Sequence, residues 1–192
     1  MPRRSREDTA LTKEQIVDAA AELVRARGME GVSIGEIMSA AGLTHGGFYK
    51  HFASKEELCA AAIERASNRT ASELDKRLAK DDGAKTRAAR FAEGYVSKAH
   101  RANPAKGCVV AALAGEAARA ASEPRAAFTK AVRALLRAIE GDLPAHRSKA
   151  RQRALANAAT AVGALILSRA VEDTALSDEL LDAAREEIAR AR

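Results

Sequence analysis

From Thr12 onward, apolar residues recur three and four positions apart (Ile16, Ala19, Ala20, Leu23, Val24), the spacing that lines one face of an α-helix. Thr12-Lys13-Glu14-Gln15 has the form of a capping box, so the pattern predicts a helix over residues 13–27, stopped by Gly28 just after basic Arg25 and Arg27. A second box, Ser33-Ile34-Gly35-Glu36, opens a short helix with Ile34, Ile37, Met38 and Ala41 on its apolar side. Gly42 closes that helix and lets Leu43 turn back into the core. Thr44 reads as the N-cap of a third short helix that buries Phe48 and Phe52, one turn apart. Ser54-Lys55-Glu56-Glu57 is a third box, and the helix it starts is expected to run to about Lys80.

Downstream, Asp81-Asp82-Gly83, Asn103-Pro104 with Gly107, Glu123-Pro124, Gly141 to Pro144 and Thr174 to Ser177 cut the chain into further helices, about nine in all. Leu155, Ala158, Ala159, Val162 and Ile166 line the penultimate helix, and Leu180, Leu181, Ala184 and Ile188 line the last. Composition agrees with helices: hydrophobic residues are 47% of the chain but aromatics only 3%, with no Trp, so the core is built from Ala, Leu, Val and Ile. The expected fold is all-α. It comprises a flexible basic arm (1–11), a three-helix head containing a helix-turn-helix (12–55) and a larger helical domain (56–192).

The formal net charge of +6 suits a phosphate-bearing partner, but the excess does not sit in the arm and head, which together hold 8 Lys or Arg and 7 Asp or Glu in residues 1–55. Any argument for nucleic acid must therefore come from a motif. No apolar run approaches the ~18 residues of a membrane span, and the basic start is followed by Glu7-Asp8 rather than a signal-peptide core, so a cytoplasmic protein without a membrane partner is expected. Cys59 and Cys108 match no zinc spacing and are expected to be free thiols. The sequence contains no P-loop, Gly-x-Ser-x-Gly, His-Glu-x-x-His or dinucleotide motif, and no ligand set accompanies His45 or His51. Neither an enzyme, a metal nor a cofactor is expected.

Two short helices joined by Ala41-Gly42-Leu43 have the form of a helix-turn-helix, with Thr44 to His51 short enough to enter a major groove ~12 Å wide. Any helical bundle also contains glycine turns, so the turn alone leaves a DNA-binding head and a protein-binding helical adaptor both open. Ile16 through Leu58, with the stretch Gly-Phe-Tyr-x-His-Phe-x-Ser-Lys-Glu at Gly47–Glu56, resembles the N-terminal signature of TetR-type transcriptional regulators. The resemblance implies a repressor that binds a palindromic operator in double-stranded DNA as a homodimer and is released by a small-molecule effector. It places Thr44 and His45 against base edges and phosphates, Tyr49 and His51 against the backbone and thymine methyls, and Lys55 on a phosphate. Ser33 offers a phosphate contact from its hydroxyl and the free amides after it. Lys50 points to solvent or phosphate. Gly46 and Gly47 bring bare backbone to the DNA but supply no side chain for readout, and Gly35 stands where some relatives carry a long base-reading residue. Specificity is then expected to lean on Thr44, His45 and DNA shape, with Arg3, Arg4 and Arg6 either in the minor groove or in a solvated tail.

The stripes at Leu155–Ile166 and Leu180–Ile188 resemble the last two helices of the family, which pair with their twofold mates; the other reading of the residues is that both stripes face the subunit's own core. Phe91, Tyr95 and Phe128 are the large side chains able to shape an effector pocket, or to fill the core. Cys108 follows Lys106-Gly107 at an expected helix start, where free amides and a nearby ammonium would lower a thiol's pKa. A Gly-Cys at this point also resembles a subgroup with a regulator that responds to alkylating agents, so Cys108 is either a reactive thiol sensing electrophiles or oxidants, or a small buried hydrophobe.

Overall fold

The computed structural model describes residues 6–79, 85–141 and 148–190, and every regular element among them is helical. In chain order these are α1 (Arg6–Arg27), α2 (Ile34–Ala40), α3 (Lys55–Leu78), α4 (Arg87–Tyr95), α5 (Lys98–Ala102), α6 (Val109–Ala117), α7 (Ser122–Glu140), α8 (Ser148–Ala170) and α9 (Thr174–Arg190). Two 3-10 helices, His45–Lys50 and Pro104–Lys106, complete the set. Arg3 and Arg4 of the expected arm, and the breaks expected at Asp81–Gly83 and Asp142–Pro144, lie outside the described residues.

α1 starts earlier than its capping box. Thr12 lies inside the helix, only 7% exposed, and its hydroxyl donates to the Asp8 carbonyl at 2.7 Å instead of capping. Nothing in Arg6–Leu11 breaks a helix, so the backbone runs through the box and the threonine bonds back to residue i−4. Part of the expected arm is therefore helical. At the other end Gly28 (φ +83°) stops α1 as anticipated.

The head is built from α1, α2, the first 3-10 helix and the first turns of α3, around Ile16, Ala20, Val24, Ile37, Met38, Phe48, Phe52 and Leu58. Each large side chain among these contributes roughly 1.5–3 kcal/mol by leaving water. α3 then continues into the body, where it packs along α7, while α8 and α9 form a hairpin against α4 and α7. One buried cluster runs from Ile16 to Ile188, so head and body share a continuous core.

The last two helices correct the sequence reading in part. Ala158, Leu181, Ala184 and Ile188 are 0–8% exposed within the single subunit, packed into its own core and unavailable to a partner. α8 buries Ala154, Ala161 and Leu165 on that inner side. The remaining residues of the expected stripes lie elsewhere: Leu155 and Ala159 are exposed, Val162, Ile166 and Leu180 half-buried, and they are joined by exposed Leu167 and Leu176.

Candidate nucleic-acid interface

Local chemistry sets the frame of the helix-turn-helix. Ser33 caps α2 with a full capping box: its Oγ accepts from the Glu36 amide (3.2 Å), and Glu36 Oε2 accepts from the Ser33 amide (2.8 Å). The same oxygen also accepts a hydrogen bond from the Ser33 hydroxyl at 2.7 Å, and Arg27 pairs with the other oxygen at 2.7 Å. The hydrogen bonds from Ser33, and then the Arg27 guanidinium, hold the Glu36 pKa down to about 2. A phosphate arriving at the Ser33 hydroxyl must thus displace an anion already there.

α2 ends in a Schellman motif. Leu43 N–H donates to Met38 O at 2.8 Å and Gly42 N–H to Ser39 O at 3.0 Å, with Gly42 in the left-handed region at φ +72°. This turn sends Leu43 back onto the core and delivers Thr44 at the start of the next element. That element is the 3-10 helix, not an α-helix: Gly47 N–H bonds to the Thr44 carbonyl at 3.0 Å, and the Thr44 side chain makes no capping hydrogen bond. The expected hydroxyl cap is absent because the paired glycines disfavour α-helix, and a segment of 6 residues closes more easily as i→i+3 turns.

Two aromatic rings anchor this segment. Phe48 and Phe52 are buried and stacked with centroids 5.8 Å apart, and Lys13 lies 4.6 Å over the Phe52 ring. Tyr49 meets Phe48 edge-on yet remains 68% exposed, and it shares the solvent side with Thr44, His45, Gly46 and Lys50. Gly47, His51 and Lys55 are half-buried at its margin. Lys55 opens α3, capped by Ser54, whose Oγ accepts from the Glu57 amide at 3.1 Å; the Glu57 carboxylate reaches past the serine to the Ala53 amide at 2.7 Å. Thr44, His45, Gly46, Tyr49 and Lys50 are thus all exposed on the 3-10 helix and its N-cap, and Ser33 is exposed at the start of the neighbouring α2.

Two residues whose role the sequence does not reveal hold this head against the body. Arg25 of α1, 4% exposed, donates to its own Ala21 carbonyl (2.8 Å) and to the Gly107 carbonyl (3.1 Å). Glu116 of α6 accepts the Met29 and Glu30 amides at 2.6 and 3.3 Å, just past the end of α1. An arginine on an apolar stripe is the only sequence-level signal for the first.

In the body, a cleft of about 210 Å³ opens between α3, α4 and the segment leading to α6, with Thr70, Arg77, Tyr95 and Cys108 on its walls. Phe91 is fully buried in the core cluster, and Phe128 packs half-buried at its edge. Cys108 is the N-cap of α6 but lies 3% exposed, and burial raises its thiol pKa despite the nearby Tyr95 hydroxyl and the amides of Val110 and Ala111. The expectation of a lowered pKa is corrected: desolvation outweighs the helix terminus. Cys59 is buried likewise and pushed up to about 11.

Residues 16–62 match the family model described as bacterial regulatory proteins, tetR family. That match takes in the helix-turn-helix head and the first turns of α3. It is 38% identical over 58 residues to the HTH-type transcriptional regulator AcrR of Shigella flexneri, a match covering 30% of this chain and 27% of that protein. The regulator TtgR of Pseudomonas putida is 36% identical over 64 residues, 33% of this chain and 30% of that protein. These curated relatives are thus matched over less than a third of their own length, in the head alone. The fold of the whole chain resembles that of solved TetR regulators. A TetR transcriptional regulator from Chloroflexus aurantiacus superposes with a TM-score of 0.74 at 25% identity, covering 96% of this chain and 97% of its own. Escherichia coli NemR in its reduced form gives 0.73 at 22%, covering 92% and 94%. The named relatives are transcriptional regulators, not enzymes. Among the described residues, no group of three His, Cys, Asp or Glu could hold a metal, and no helix is long and apolar enough to cross a membrane.

Proposed function

We propose that this chain is a transcriptional repressor that binds a palindromic operator as a homodimer and is released by a small-molecule effector. Residues 12–55 read the DNA and residues 56–192 dimerise and sense. The observation that carries the reading is the solvent face of the 3-10 helix. Tyr49, a large aromatic kept 68% exposed, is supported from behind by buried Phe48 and flanked by Thr44, His45 and Lys50. An aromatic with a polar tip, a histidine, a hydroxyl not used for capping and an ammonium are the groups that meet sugar, thymine methyl, base edge and phosphate. Backbone at Gly46 is open enough to approach a phosphate closely, since a Cβ there would meet nothing within 4 Å. His51 and Lys55 border the same surface, and Ser33 joins it if Glu36 yields its hydroxyl.

Twofold-related half-sites one helical turn apart require two such faces about 34 Å apart. The exposed side of α8 and α9, formed by Leu155, Ala159, Val162, Ile166, Leu167, Leu176 and Leu180, suits pairing with a second copy, and Gly163 adds bare backbone with nothing within 4 Å of its Cβ position. The effector is assigned to the cleft beside Tyr95. Its size fits a small molecule better than a multi-ring drug. Switching by modification of Cys108 is the weaker reading, because a buried thiol with a raised pKa holds little thiolate.

The test is a mobility shift with duplex from upstream of the chain's own gene, using wild type, Tyr49→Ala and His45→Ala over a range of salt. Binding that weakens with salt and falls at least about tenfold in both variants supports the reading. Retention unchanged in both variants refutes the assigned face.

A further inference from the structure

The segment between α4 and α6 is tied to three distant helices by an unbroken series of hydrogen bonds. From α8, Arg169 donates to the carbonyls of Arg101 (3.1 Å) and His100 (2.6 Å). Towards α9, Arg101 donates to Ser177 Oγ (2.6 Å) and Asp178 (2.8 Å), Lys98 pairs with Asp178 at 2.6 Å, and Ser177 closes onto the Ser168 carbonyl at 2.6 Å. The imidazole of His100 then carries the series inward. One ring nitrogen, Nδ1, donates to the Tyr95 carbonyl (2.7 Å), and Nε2 accepts the Cys108 amide (2.9 Å). These partners need the neutral ring with its proton on Nδ1. The preceding residue, Gly107, offers its carbonyl to Arg25 of α1 at 3.1 Å.

Gly107 is a necessary part of this arrangement. A Cβ there would lie 2.7 Å from His100 Nε2 and 2.8 Å from Cδ2, so the ring reaches the Cys108 amide only across bare backbone. Arg25 is likewise built in. The residue is 4% exposed, and its guanidinium is fixed by two carbonyls, one on its own helix and one from the body. Hydrogen bonds are directional, and buried ones that break leave unsatisfied groups behind, so the series resists rotation more than apolar packing does. Its two ends are the helices that matter for a dimer on DNA: α8 and α9, with the outward apolar face, and α1, the first helix of the head.

We propose that Arg25, His100 and Arg169 are positioning residues that fix the angle of the head against the α8–α9 face and hence the operator half-site spacing the dimer accepts. The inference rests on the dimeric DNA-binding reading above. One base pair changes the half-site distance by about 3.4 Å and rotates it around the duplex, so a loosely held head accepts spacings that a fixed one rejects. His100 and Gly107 also border the cleft, so a molecule seated there meets the series at its middle link.

The experiment selects duplexes from a random library with the full wild-type chain. It then measures affinity for the recovered site, for the same half-sites moved one base pair closer or further apart, and for a single half-site. Wild type is expected to prefer its own spacing by about tenfold or more. Arg25→Leu, His100→Leu and Arg169→Leu should flatten that preference while single half-site affinity stays within about threefold, and His100→Gln, whose amide can replace both ring contacts, should restore it. Where a leucine variant does not fold by circular dichroism, Arg169→Lys, which keeps the charge but loses the rigid planar fork that spans the two carbonyls, carries the same measurement. Variants that keep the wild-type preference, or lose half-site and full-site binding in parallel, overturn the positioning role while the DNA-binding reading stands. Failure of wild type to enrich any duplex overturns both.

Discussion

Replacing Gly28 by alanine probes the join between head and body at one atom. Gly28 has φ +83°, and a Cβ built there would lie 1.9 Å from Glu116 Oε1. Two costs follow. The left-handed backbone disfavours alanine by about 1–2 kcal/mol. The methyl also evicts the Glu116 carboxylate from the Met29 amide it accepts at 2.6 Å, and a hydrogen bond to a charged group is worth about 1.5–3 kcal/mol. Gly28→Ala should therefore destabilise by about 2.5–5 kcal/mol, and Glu116→Ala, which loses only the hydrogen bond, by about 1.5–3 kcal/mol. In the double variant that bond is lost once, so it should be no less stable than Gly28→Ala alone. The double-mutant cycle should then show a coupling of about 1.5–3 kcal/mol. Urea unfolding followed by helical circular dichroism measures all four proteins. Additivity to within about 0.5 kcal/mol would refute the reasoning, since it would mean that the glycine and the carboxylate do not share this contact.

Three further outcomes are expected. Burial, the largest cause, lowers the His100 pKa from 6.5 to about 4, so between those values the unfolded chain binds a proton that the folded chain does not; stability should fall as pH drops through this window, by at most about 3 kcal/mol, and His100→Gln should abolish that dependence in urea unfolding at pH 7 and pH 5. Gly42→Ala should cost about 1–2 kcal/mol through φ +72° alone, whereas Gly46→Ala, with negative φ and open space, should leave stability unchanged or raise it by up to about 1 kcal/mol; equal effects in thermal melts would count against the assigned turn. Leu167→Glu, at a position 52% exposed, should leave the subunit folded with stability within about 0.5 kcal/mol but yield monomer in sedimentation, and an unchanged oligomer would remove the α8 face from the interface.

What could be read from the sequence was the chemistry that acts over three or four residues. Ser33 and Ser54 cap as their spacing suggested, and Gly28 and Gly42 take the left-handed conformation. Thr12 has the same box letters as Ser33 but lies in mid-helix. The difference is upstream: Gly31 and Val32 have left the helix before Ser33, while the residues before Thr12 have not. A cap is thus a property of the junction as well as of the box. The 3-10 form of His45–Lys50 follows from Gly46-Gly47, a feature visible in the sequence but read there as part of a third short helix capped by Thr44. Arg25 and Glu116 were out of reach for a different reason, since their partners stand 82 and 87 residues away and no local period encodes such a pairing.

α8 shows the limit of periodicity most clearly. Its apolar residues fall into two stripes at helical spacing, one through Ala154, Ala158, Ala161 and Leu165 and one through Leu155, Ala159, Val162 and Ile166. Both satisfy the same sequence rule, and only packing tells which one the subunit covers. The inner stripe is rich in alanine because α8 lies against α7 and α9, where short side chains let helices approach closely. Larger Leu155 and Leu167 are left outside, the reverse of what a lone globular subunit would select. A helix with apolar residues on two sides is favourable in water only when both sides are covered, and here the subunit covers one. The dimer proposed above covers the other, so the mixed pattern that made α8 ambiguous in the sequence is also the physical argument for its partner.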